Sequence, residues 1–393
     1  MKLGRWAWLI CLVIPSLTGC DAFWAPPASS TTSGCKTNCT TASSGNFYIL
    51  NAGTSAAIVG ESIVSGKLTA ISGSPWALPG APFSIVMSPD GKYLYASTIA
   101  GVYVYPVSGG ALGKYAQVSQ DAPALAIQVE STGTWLIEAL QATGGVTLAA
   151  VPLSTSTGGS SGAAQTATFS ISNAAVQNGE IAISSDSKFV FVALGAGGAI
   201  IVPFNSGVSS GQQPFGNTAY TIPVLKTGGS VLSVAVDPSL RLFYVGETLA
   251  NSSGNSGGLL AYNYSSIGSS LTQASGSPIA TGGLAPNSIV PVGAGNFVYV
   301  ASGQGTTTSG KIASFAITGT SAYTLSASNS IAAGLQPSSL AEDSTGTFLL
   351  GVNNLGGPYF SSYTFNSTTA GKLDIQIVAN TGASPQVIVA APQ

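Results

Sequence analysis

The chain has 393 residues with 11 Lys+Arg, 13 Asp+Glu and no histidine, so 6% of it is charged and its formal net charge is −2, where an ordinary soluble domain is about 25% charged. So few cations leave no basic patch for nucleic acid, and without histidine there is no Ser-His-Asp triad, no Cys-His nucleophile and no His-ligated metal. The 45% hydrophobic content excludes a disordered chain.

Lys2 and Arg5 precede an apolar stretch from Trp6 to Leu17, and small residues follow up to Cys20. A charged start, a short apolar core and a small-residue cut site make a secretory signal. The stretch is shorter than the roughly 20 apolar residues of a membrane-spanning helix. Leu17-Thr18-Gly19-Cys20 resembles the bacterial lipobox. That resemblance implies that residues 1–19 are removed and that Cys20 carries lipid. The protein would then sit on a membrane of the cell envelope, facing the periplasm or the exterior. Residues 20–45 are rich in Ser, Thr and Pro without apolar periodicity and read as a tether. Cys35 and Cys39 remain as a pair there. Outside the cytosol they read as a small disulfide loop, since two cysteines without further ligands make a poor metal site. Neither a metal nor a cofactor is expected.

From residue 46 to 393 one pattern recurs: a short apolar strand, a tight turn, and a second apolar strand with aromatics. Its clearest copy is Pro82-Phe83-Ser84-Ile85-Val86-Met87-Ser88-Pro89-Asp90-Gly91-Lys92-Tyr93-Leu94-Tyr95-Ala96. Positions equivalent to Tyr93 are Phe47, Trp135, Phe189, Leu242, Phe297 and Phe348, at intervals of 42 to 55 residues. Several strands per unit at that spacing predict an all-β, seven-bladed β-propeller. Leu68–Pro75 and Leu271–Pro278 match at six of eight positions, which supports an internal repeat. Asn46–Leu50 reads as a second strand lacking its first, and Pro385–Ala390 as a first strand lacking its second. Pairing the C-terminal strand with the N-terminal blade would close the ring and remove two open sheet edges.

The Ser-Pro-Asp-Gly-Lys-Tyr-Leu-Tyr phrase at 88–95 resembles the seven-bladed lactonase propellers, similar to 6-phosphogluconolactonase, and the related YVTN-type propellers. The resemblance spans residues 46 to 393 and implies, at most, hydrolysis of a lactone. In that family the first strand follows a phrase that places cationic or imidazole groups at the central funnel. The residues at that place here are Ser84, Ala126, Glu180, Ser233, Ser288, Ser339 and Val387, with no cation among them. A phosphorylated sugar would call for Lys or Arg, so recognition of a phosphosugar is not expected. The serines Ser84, Ser233, Ser288 and Ser339 are the candidate binding ring. Glu180 is the candidate general base if burial raises its pKa toward neutrality; otherwise it is a solvated carboxylate or a cap on nearby backbone N–H groups. Glu138, inside a second strand, needs a partner, an exposed edge or a site. Glu130, Asp237 and Asp343 fall in strand-connecting turns and read as structural.

These residues support a lipid-anchored, monomeric propeller that serves as a binding or scaffold module, its ligand a neutral small molecule, glycan or protein. The alternative is a hydrolase of an uncharged lactone with Glu180 as base.

Overall fold

Aliphatic and aromatic side chains dominate the second strand of each repeat, and in the computed structural model these strands are buried on both faces. Val190, Phe191 and Val192 of the Phe189–Ala193 strand are all in the core, as are Phe243, Tyr244 and Val245 of Leu242–Glu247. Such side chains suit the centre of a sheet packed on both sides. The structure describes residues 43–120, 123–250, 256–292, 296–303 and 305–392. The expected signal peptide, the lipid site Cys20 and the pair Cys35 and Cys39 lie outside the described residues.

The described strands form six antiparallel sheets. Five have the four or five strands of a propeller blade, and their innermost strands begin at Pro82, Ala124, Ile181, Val231 and, for the first sheet, Pro385. The sixth has seven strands, from Ala285–Pro291 to Leu373–Ala379. Seven separate four-stranded sheets were expected, and the difference lies in one strand. Thr324–Glu342 runs for 19 residues. It pairs first with Ser309–Thr318 and then with Phe348–Leu355, and Leu335 has partners on both sides. Elsewhere a loop separates the outer strand of one unit from the inner strand of the next. Here the ladder passes through without a break.

The last strand, Pro385–Ala390, pairs antiparallel with the first, Asn46–Asn51. Their register corrects one alignment. The turn bond made by Ser88 N–H to Tyr93 O recurs as Ala391 N–H to Asn46 O. Asn46, not Phe47, is therefore the equivalent of Tyr93. Two adjacent aromatics, Phe47 and Tyr48, and the absence of a connecting turn hid that offset.

The core is a set of apolar layers between neighbouring sheets. One joins the first sheet to the second through Tyr48, Ile58, Ile85 and Leu94. Others follow between second and third, third and fourth, fourth and fifth, and fifth and sixth. Another lies inside the sixth sheet, where Tyr299 and Ile312 meet Leu349 and Tyr363, so its two halves pack face to face. The last joins that sheet to the first, with Phe47 stacked on Phe360 at 5.2 Å and 8°. Burying each such aromatic is worth about 1.5–3 kcal/mol.

The duplicated octapeptide folds alike twice. Ser74 and Ser277 each accept a backbone N–H through Oγ at 3.0 Å, from Gly60 and Ala261. Ile71 and Ala274 each donate to those same two residues' carbonyls at 2.9 Å, and both Ser-Pro bonds are cis.

Candidate functional site

The inner strand of each unit sets the site, and most carry a β-bulge at one place. The register shifts between Pro82 and Ser84, Ala124 and Ala126, Val231 and Ser233, Pro286 and Ser288, and Pro337 and Ser339. The first sheet shows the same shift opposite Pro385 and Val387. A bulge bends the strand and re-aims the side chains beside it. The residue after each bulge is a member of the expected ring.

That ring ties neighbouring units together. Ser233 Oγ donates to Pro286 O at 2.7 Å. Ser288 Oγ accepts from Leu340 N–H at 3.0 Å, and Ser339 Oγ from Ile388 N–H at 3.2 Å. Ser84, Ser233 and Ser288 are buried, while Ser339 is partly exposed. Glu180 occupies the same position in the fourth sheet, and its Oε2 accepts from Val234 N–H at 3.2 Å. The residue as a whole is partly exposed, but burial of its carboxyl pushes the pKa up to about 8, against the weaker pull of the Val234 bond. It is an acid held mostly protonated at neutral pH.

The residue before it closes the space between the strands. Gly179 donates its N–H to Leu125 O at 2.9 Å. A Cβ there would stand 3.2 Å from Val387 Cγ2 and 3.8 Å from Ser84 Oγ, and φ is +75°. This turn of the fourth sheet therefore touches inner strands of the first, second and third sheets, a close approach that suits glycine.

The opposite ends of the inner strands frame a recess of ≈ 370 Å³, lined by Met87, Gln128, Ser131, Ile183, Ser185 and Glu342 among others. Gln128 is half-buried, and no described residue hydrogen-bonds its amide. Sequence reasoning missed this end, although the repeat carried the signal. Two residues beyond each ring position stand Val86, Gln128, Ala182, Ala235, Val290, Ala341 and Val389; Gln128 is the one polar member. Three residues beyond stand Met87, Val129, Ile183, Val236, Pro291, Glu342 and Ala390; Glu342 is the one polar member. No Lys or Arg lines the recess. Every described lysine is exposed, and Arg241 is bound to Asp237 at 2.7 Å.

The turn carboxylates are structural. Glu130 accepts the N–H groups of Thr132 and Thr134, both at 2.8 Å, and Asp343 those of Thr345, Thr347 and Phe348. Glu138 is buried and accepts from Ser119 Oγ at 2.7 Å. Glu247, which the sequence reading passed over, is fully buried; Leu225 N–H donates to its Oε1 at 2.8 Å while Oε2 has no partner. Burial pushes its pKa up to about 7. Among the described residues no group of three or more His, Cys, Asp or Glu side chains could hold a metal ion.

No family model and no curated protein matches the sequence. Solved structures do match in shape. The periplasmic gluconolactonase of Pseudomonas aeruginosa is 15% identical, with a TM-score of 0.68 over 89% of this chain and 100% of that one. A provisionally assigned 6-phosphogluconolactonase from Bacteroides fragilis is 13% identical, with a TM-score of 0.67 over 88% and 97%. The Cps50 β-propeller domain from Myceliophteria thermophila is 12% identical, with a TM-score of 0.55 over 79% and 89%. The chain has a β-propeller fold. At these identities the likeness speaks for the fold of the propeller and leaves its chemistry to the residues described above.

Proposed function

We propose that this propeller is a binding module for an uncharged, hydroxylated ligand held in the recess around Gln128 and Glu342. The observation that carries it is the lining itself: hydroxyls, one uncommitted amide and one carboxyl, with no cation. Such groups match sugar hydroxyls, which both donate and accept, and they offer a phosphate nothing to pair with. The reading extends to the architecture. The seven-stranded sheet counts as two blades joined by Thr324–Glu342, which makes seven blades, and the pairing of Asn46–Asn51 with Pro385–Ala390 closes the ring. The cycle of apolar layers from the first sheet back to itself supports both. It also includes a lipid anchor at Cys20 and a place in the cell envelope, supported by the lipobox-like motif and by the periplasmic location of one structural neighbour.

A second reading has its own observation. Glu180 has its pKa pushed up to about 8 by burial, belongs to the ring at the inner strands and sits on a fold shared with gluconolactonases. As a general base it would activate water against the carbonyl of a neutral lactone.

Calorimetric titration with glucose and gluconate, beside hydrolysis of neutral and phosphorylated sugar lactones, tests both. Binding of glucose that disappears in Gln128→Trp supports the module. Turnover above the spontaneous rate that is lost in Glu180→Gln supports the hydrolase. Because the base acts only when deprotonated, such turnover must rise with pH through about 8. Neither binding nor turnover would remove both readings.

A further inference from the structure

Resting on the recess reading, we infer that the ligand is an extended neutral glycan, and that the recess is one end of a trough running outward between the second and third sheets. A second cavity of ≈ 260 Å³ lies on that seam, lined by Asp90, Tyr93, Thr132, Ser154 and Thr155. It shares Ser88, Pro89 and Ser131 with the recess, so the two abut. The recess alone stands near the lower end of the roughly 300–1,000 Å³ that a small-ligand site occupies. The added space continues away from the inner strands, which suits a chain of linked rings better than one ring.

The outer wall of the trough is built rather than incidental. It is the loop after Gly145–Pro152, which folds back from the third sheet onto the second. Its shape is held by the Leu153–Ser160 bridge, by Ser154 N–H to Gly159 O at 2.8 Å, and by Tyr95 OH to Gly158 O at 2.9 Å. Gly158 has φ +69°, and a Cβ there would stand 2.5 Å from Tyr93 Cδ1, so only glycine lets the loop lie against that ring.

The chemistry of the walls selects the ligand. Ser154 and Thr155 bring hydroxyls beside the half-buried Tyr93 ring, the pairing of polar rim and flat apolar surface that a sugar ring meets with its own hydroxyls and C–H face. In the outer part of the trough the one carboxylate, Asp90, is already matched by Lys92 at 3.0 Å, and neither cavity is lined by Lys or Arg. An anionic chain would therefore find no counter-charge here.

Titrating the whole protein with glucose and with linear glucose oligomers of up to six units, α-1,4- and β-1,4-linked, decides the matter. The tetramer of one linkage should bind at least about tenfold more tightly than glucose, a difference of about 1.4 kcal/mol. Thr155→Trp, at an exposed position that fills the trough, should abolish that advantage and leave glucose binding unchanged. Equal affinity for glucose and its oligomers would overturn the trough and spare the recess. A length advantage that survives Thr155→Trp would overturn it too. Absence of any sugar binding would remove the recess and the trough together.

Discussion

Glu180 and Glu247 are carboxyls placed among apolar and backbone groups with no cation beside them, and burial raises both pKa values, to about 8 and about 7. The folded protein therefore holds protons that the unfolded chain releases near pH 4.5, and stability must fall as pH rises from there through 7 and 8. Glu247 is fully buried and isolates this effect. Its share is on the order of 3 kcal/mol, lost across that interval. Glu247→Gln keeps the neutral shape, so thermal melts should show the variant more stable than the parent at pH 8.5 and nearly equal at pH 5. A pH slope unchanged by the substitution would contradict that account. Glu180 was legible in the sequence because it broke a column of small residues. Gln128 and Glu342 broke neighbouring columns just as plainly. Glu247 was not legible, because its burial depends on the loop through Leu225, which periodicity does not place.

At the scale of elements, the bulged inner strands act through the bonds they pass to the next unit. Ser288 Oγ satisfies the buried Leu340 N–H, so Ser288→Ala orphans that donor and should cost about 1–3 kcal/mol. Ser84 occupies the same column and is equally buried, but no described residue hydrogen-bonds its hydroxyl. Ser84→Ala should cost less than about 0.5 kcal/mol. Urea midpoints of the two variants measure the contrast, and equal losses would refute the latch. The strand-turn-strand phrase announced these elements because alternation, turn residues and spacing agree. It did not announce the bulges, since one extra residue leaves the apolar pattern almost intact. Nor did it reveal the continuous strand Thr324–Glu342: Gly334 and Pro337 look like a loop, whereas the chain turns at Gln336, with φ +48°, without leaving the ladder.

For the whole molecule, composition had already removed histidine chemistry and nucleic acid. The structure adds that the described lysines are exposed, that Arg241 is paired with Asp237, and that none of them lines the recess. Fold likeness to lactonases and a recess without cations are thus separate facts, one about architecture and one about side chains. The pairing of the first and last strands also has a mechanical side. Phe47 faces Ala390 at one end of that ladder and Asn51 faces Pro385 at the other, so the outgoing chain at residue 45 and at residue 391 leaves from the same end. Force applied at residues 43 and 392 loads the backbone bonds one after another, as a zip opens. Force applied at residues 54 and 392 loads the whole ladder in shear. In optical tweezers the first geometry should rupture at the lower force, and the reverse order would exclude this strand pair as the point of failure. A pull between residues 43 and 392 would thus open the seam between the first and last strands before it strained any other sheet.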